Sequence, residues 1–239
     1  MEASGKGTSM RSSLLLFALL ASTLAPAARA ALIRVDFAGV VDDVVDDYVG
    51  VPGFEPLLDG SIVVGTLFSG YALYEDTQSP EDSTPTSARY VFVTPPGELE
   101  VSVGNYTAVA GPLGPPYGAT PGFQIDLQNG FSDSYYVFTT AVLAAGDIGG
   151  SGVLAGTHFS FYVDDTSATA LASTALADVP ISLASWSFSQ FEFIIEDDLS
   201  GLAAVHGSLT SLTATVVPEP ATWLLVAIGC AGLAGRRGA

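Results

Sequence analysis

The chain has 239 residues, a formal net charge of −18 and a mean hydropathy of +0.45. Its apolar, basic ends hide a more acidic middle: 23 of the 25 acidic residues, but only Arg34 and Arg89 of the seven basic ones, lie between positions 31 and 216. That segment, at −21, repels phosphate, which excludes nucleic acid and anionic lipid headgroups as partners.

The first 30 residues read as a signal peptide. Lys6 and Arg11 supply a positive start, residues 14–21 an apolar run, and Pro26 a helix break. Ala28-Arg29-Ala30 fits the small-x-small cleavage pattern, so cleavage is expected after Ala30. Met10, beside Arg11, is the alternative start to Met1. The apolar run is shorter than the ~20 residues of a membrane span, which argues against a permanent anchor.

Residues 31–216 form the expected passenger domain. Short apolar–polar alternations separated by turn residues are the all-β signature. Ile33, Val35 and Phe37 alternate with Arg34, Asp36 and Ala38. Leu99, Val101 and Val103 form the next such run, then Phe123, Ile125 and Leu127, then Phe159, Phe161 and Val163, then Phe191, Phe193 and Ile195. Asn129-Gly130, Gly149-Gly150 and Pro95-Pro96-Gly97 are breakers. Residues 78–87 and 111–118 are expected as loops, and 166–177 as the one helix candidate or else a loop of small residues. The predicted architecture is an antiparallel two-sheet sandwich or jelly roll, with a barrel as the alternative. The domain contains no cysteine and so no disulfide; 186 residues bury enough apolar surface without one.

Chemistry-bearing clusters are sparse. His158 and His206 lie in strands, and no Gly-x-Ser-x-Gly elbow accompanies the serines, so no catalytic residue is nominated. No Cys/His spacing fits zinc, and no metal ligand is assigned. Asp42-Asp43 with Asp46-Asp47, Asp164-Asp165 and Asp197-Asp198 leave calcium as the only candidate cofactor, against the alternative of solvated acidic loops. Tyr135, Tyr136 and Trp186 are candidates to stack on sugar rings, although strand aromatics more often fill cores. Asn105-Tyr106-Thr107 has the spacing of an N-glycosylation acceptor triplet.

Residues 217–239 close the chain in three parts. Val217-Pro218-Glu219-Pro220 is extended, because two prolines flanking a glutamate neither continue a strand nor enter a helix. An uncharged apolar run over 221–234, expected as a short helix, contains Cys230, the one cysteine of the chain. It reads as a small hydrophobe there, with lipidation as the alternative. Arg236 and Arg237 follow and should stay cytoplasmic.

This order resembles the PEP-CTERM sorting signal of Gram-negative bacteria. The resemblance implies processing by an exosortase, a membrane-embedded cysteine transpeptidase, after transient inner-membrane insertion, and an association with exopolysaccharide. The family typically ends in a richer Arg cluster than the pair found here. The middle also resembles a recurrent passenger of such proteins, through Gly65-Thr66-Leu67-Phe68-Ser69-Gly70, Tyr74-Glu75-Asp76, Val179-Pro180-Ile181-Ser182-Leu183 and the Phe-rich run over 188–195. The expectation is a non-enzymatic structural protein of the cell surface or extracellular matrix, linked to exopolysaccharide or biofilm. A lectin-like jelly roll is the rival, and a secreted hydrolase the third reading.

Overall fold

Each alternating run becomes a strand in the computed structural model, which describes residues 31–217 except 49, 54, 94, 115–117, 147, 150–153, 180–181 and 200. The chain divides into two compact units, Met1–Ala30 and Ala31–Ala239, and the described residues all belong to the second. In order the strands are β1 (Leu32–Asp46), β2 (Leu67–Glu75), β3 (Asp82–Thr84), β4 (Ser87–Phe92), β5 (Glu98–Val103), β6 (Tyr106–Ala110), β7 (Pro112–Gly114), β8 (Gly118–Pro121), β9 (Phe123–Asn129), β10 (Asp133–Ala145), β11 (Leu154–Asp165), β12 (Phe188–Asp197) and β13 (Leu202–Val217).

The architecture is the barrel alternative rather than the two-sheet sandwich or jelly roll. Eight antiparallel strands close into a ring in the order β1-β2-β5-β6-β10-β11-β12-β13 and back to β1. β10 makes the closure because it is long enough to serve two neighbours on one side. Its first half pairs with β9 and its second half with β6, while the opposite side pairs with β11. β9, β4 and β3 therefore branch off the ring as a flap. Register shifts in β1 after Ala38 and Val41 mark the bulges that bend a 15-residue strand around the barrel.

An eight-strand barrel has an interior just wide enough for side chains. Here Phe37, Phe159, Phe161, Phe191 and Phe193 fill it, all buried, with Phe37 and Phe161 centroids 4.7 Å apart.

Two local expectations are corrected, and over 166–177 the loop alternative is the one found. Residues 112–121 are not all loop: β7 and β8 pair there as a two-stranded ribbon. The loop expected over 78–87 includes β3, a three-residue edge strand. The helix candidate over 166–177 is irregular until a 3-10 turn at Leu176–Asp178. Side chains claim the backbone groups a helix would need. Asp165 accepts from the Ser167 and Thr169 amides at 3.0 and 2.9 Å, Asp133 from the Leu171 amide at 2.8 Å, and Tyr90 donates to the Thr174 carbonyl. The segment instead buries Leu171 and Leu176 against the core. The expected C-terminal helix lies outside the described residues; among those described, no helix is long and apolar enough to cross a membrane.

Candidate functional site

One end of the barrel gathers both chain ends of the passenger. Leu32 pairs with Val217 on one side and with Glu75 on the other. The Ala31 amide donates to Asp76 Oδ1 at 2.8 Å, and the Asp76 amide donates back to the Ala31 carbonyl at 3.0 Å. The first residue after the expected leader cleavage thus sits beside the last residue before Pro218. Val217 closes β13, while Pro218, Glu219, Pro220, Arg236, Arg237, Ala28 and Ala30 lie outside the described residues. A cavity of about 200 Å³ opens at this end between Ala31, Ile33, Tyr74, Tyr135, Leu176 and Val216. Burial pushes both phenols up, Tyr74 to about 12 and Tyr135 well above the ordinary tyrosine value.

Five of the eight aspartates singled out for calcium accept hydrogen bonds that hold turns or strands together. Asp46 accepts from the Tyr48 and Leu58 amides, Asp47 from the Leu202 amide, and Asp42 from the Ser208 hydroxyl. Asp197 takes the Tyr48 hydroxyl at 2.9 Å and the Gly201 amide at 2.7 Å. Hydrogen bonds from the Ser167 hydroxyl, and from the Thr169 and Ser167 amides, hold the Asp165 carboxyl far below the usual carboxylate range. Among the described residues, no group of three or more His, Cys, Asp or Glu side chains is arranged to hold a metal ion.

The outer face of the ring carries a second constellation. Period-two alternation sends Tyr135 inward, where it is buried, and Tyr136 outward. Tyr136 pairs across β10–β11 with Tyr162, ring centroids 6.3 Å apart, and lies 6.2 Å from Phe138. Tyr162 in turn lies 6.2 Å from Phe188, which is 50% exposed. Asp126 and Gln128 on β9 form one wall of a trough over these rings, and Gln190 and Glu192 on β12 form the other; its volume is about 380 Å³. Asp126 holds Arg89 and Gln124 at 3.1 and 2.9 Å. Glu192 lies 3.4 Å from His206 Nε2, and His206 Nδ1 is 3.9 Å from Asp43. His158 stacks on Phe138. Trp186 is buried in the core, so of the three sugar-stacking candidates only Tyr136 reaches this face. Tyr162, Phe138 and Phe188 were not singled out; the signal for Tyr162 was its place between Phe161 and Val163 in an alternating run. Asn105 Nδ2 donates to Asp59 Oδ2 at 3.0 Å.

Residues 216–238 match the family model described as the PEP-CTERM protein-sorting motif. The chain is a PEP-CTERM sorting domain-containing protein. The motif supports export, sorting via an exosortase, and a surface or extracellular destination. It begins at Val216, inside β13, so the PEP-CTERM tail continues directly from a barrel strand with no intervening domain. No curated protein and no solved structure matches the chain.

Proposed function

We propose that this PEP-CTERM protein is a non-enzymatic structural component of the cell surface or extracellular matrix, associated with exopolysaccharide. The observation that carries the delivery part is the motif at 216–238. The passenger's chemistry supports the rest. Asp126 and Glu192 stand on opposite walls of the trough, on strands three spacings apart, and each is already engaged, Asp126 with Arg89 and Gln124 and Glu192 beside His206. His206 turns one ring nitrogen to Glu192 and the other to Asp43, whereas a triad base keeps one nitrogen on its nucleophile, and His158 stacks on Phe138.

Under this reading the leader is cleaved after Ala30, the tail passes transiently through the inner membrane with Arg236 and Arg237 inside, and an exosortase acts at the Pro218-Glu219-Pro220 segment. Deleting residues 218–239 should release unprocessed protein from the envelope, read by immunoblotting of membrane, surface and medium fractions. Unchanged size and location would sink the proposal.

Cleavage would also convert the Ala31 amide into an ammonium, 2.8 Å from the Asp76 carboxylate. An ion pair at a partly exposed site contributes about 1 kcal/mol at most. Asp76→Asn is therefore expected to lower the melting temperature of the processed chain by about 2–4 °C. The chain that keeps its leader should shift less, because an amide carries no charge. Equal shifts in both would show that the new terminus does not use Asp76.

A further inference from the structure

We propose that the outward trough across β9, β10, β11 and β12 is a binding site for a neutral polysaccharide, with Tyr136 and Tyr162 as its floor and Asp126, Gln128, Gln190 and Glu192 as its walls. This deepens the exopolysaccharide reading above by naming the ligand class and the residues, and rests on it only for where the protein meets its ligand.

The rings are the first reason. Outward strand positions on a wetted barrel are ordinarily polar, yet Tyr136, Phe138, Tyr162 and Phe188 form a contiguous aromatic row, with neighbouring centroids 6.2–6.3 Å apart. They are not core residues in excess, because the ring interior is already filled by phenylalanines from β1, β11 and β12. An apolar strip rimmed by polar groups marks an interaction surface. The floor is also polar in a particular way. Ser134 and Ser160, beside the tyrosines, are buried at 6% and 7% exposure, so the trough has depth rather than being a flat wall.

The walls select the ligand class. A pyranose presents an apolar C–H face and a rim of hydroxyls that both donate and accept. Stacked rings suit the face; two amides and two carboxylates suit the rim, since an amide offers both functions and a carboxylate accepts. Charge narrows the choice further. The passenger carries −21, and the one cation at this face, Arg89, is bonded to Asp126. An anionic chain is repelled. A cationic chain would be held by charge anywhere on the surface and would not need these rings. The neutral chain alone depends on the trough. The face spans four strands, about 14 Å, room for a short run of sugar rings.

The test is native affinity electrophoresis of the chain from Ala31 to Ala239 in detergent, in gels containing dextran, laminarin, hydroxyethylcellulose, alginate or chitosan. Retardation by at least one neutral glucan and none by alginate is expected. Tyr136→Ala with Tyr162→Ala should weaken the apparent affinity about tenfold, equivalent to about 1.4 kcal/mol, while Tyr136→Phe keeps it. Gln128 and Gln190 are exposed, so Gln128→Ala with Gln190→Ala leaves the fold intact and should still weaken binding several-fold. The site is overturned if no neutral glucan retards the protein, if chitosan alone does, or if both double variants bind as the parent does. Its failure would leave the tail-deletion result untouched, so loss of the site and loss of the sorting reading are told apart.

Discussion

Phe161→Ala is expected to destabilise the barrel by about 3–5 kcal/mol, a large share of the ~5–15 kcal/mol that holds a typical domain folded. Phe161 is fully buried, and its ring lies 4.7 Å from Phe37, 5.7 Å from Tyr135 and 6.4 Å from Phe159. Those three rings come from β1, β10 and β11, strands held in a closed circle of hydrogen bonds. A closed ring has no free edge along which to contract. The cavity left by the missing ring therefore stays largely open, and the loss should sit at the upper end of the usual range. Urea denaturation of the mature chain reads it directly. A loss under about 1 kcal/mol would show that the centre of the barrel is not packed as described.

The second large effect is expected at Gly70. A methyl group there would come within 2.3 Å of both the Glu100 carbonyl and Phe37 Cζ. Both are hemmed in: the carbonyl belongs to the β2–β5 ladder, and the Phe37 ring packs against Phe159 and Phe161. Gly39 has the mirrored relation, with its Cβ position 2.3 Å from Phe68, whose ring stacks on Phe191 at 3.9 Å. Gly70 is needed for space rather than for an unusual backbone angle. Gly70→Ala should cost about 1–3 kcal/mol through overpacking. Adding Phe37→Ala should restore part of that loss, because the methyl then fills space the ring has left. A double variant whose cost equals the sum of the two singles would refute the ring-over-glycine contact.

Both effects lie in a part of the chain whose strands were legible and whose closure was not. The five alternating runs named from the sequence all became strands with their apolar members buried, Ile33 partly so. The same pattern, one dry face and one wet face, serves a sandwich and a barrel equally. What separates them is that β10 runs to 13 residues and changes neighbour midway, a non-local pairing that no local period encodes. The choice between helix and loop over 166–177 was open in the sequence for a related reason. Its Ala and Leu content was real, but Asp165, Asp133 and Tyr90, two of them distant in sequence, captured its backbone groups.

At the candidate face, alternation guaranteed that Tyr135 and Tyr136 point to opposite sides. Which of them meets solvent was set by register, since a one-residue slip exchanges the faces. The aspartate pairs looked alike as sequence, yet the fold gave them separate acceptor duties in strands and turns, because some of their partners lie up to 166 positions away.

The sequence by itself carried the support for the address, through the sorting motif that includes Val217-Pro218-Glu219-Pro220. It also determined the acidity that turns away phosphate, and the strand content. These are properties of composition and short-range order, readable without distances. Only the tertiary structure decided that the strands close into a barrel and that both ends of the passenger emerge side by side. It alone decided that Tyr136 and Tyr162 share an outward trough, since each of these depends on contacts between segments far apart along the chain.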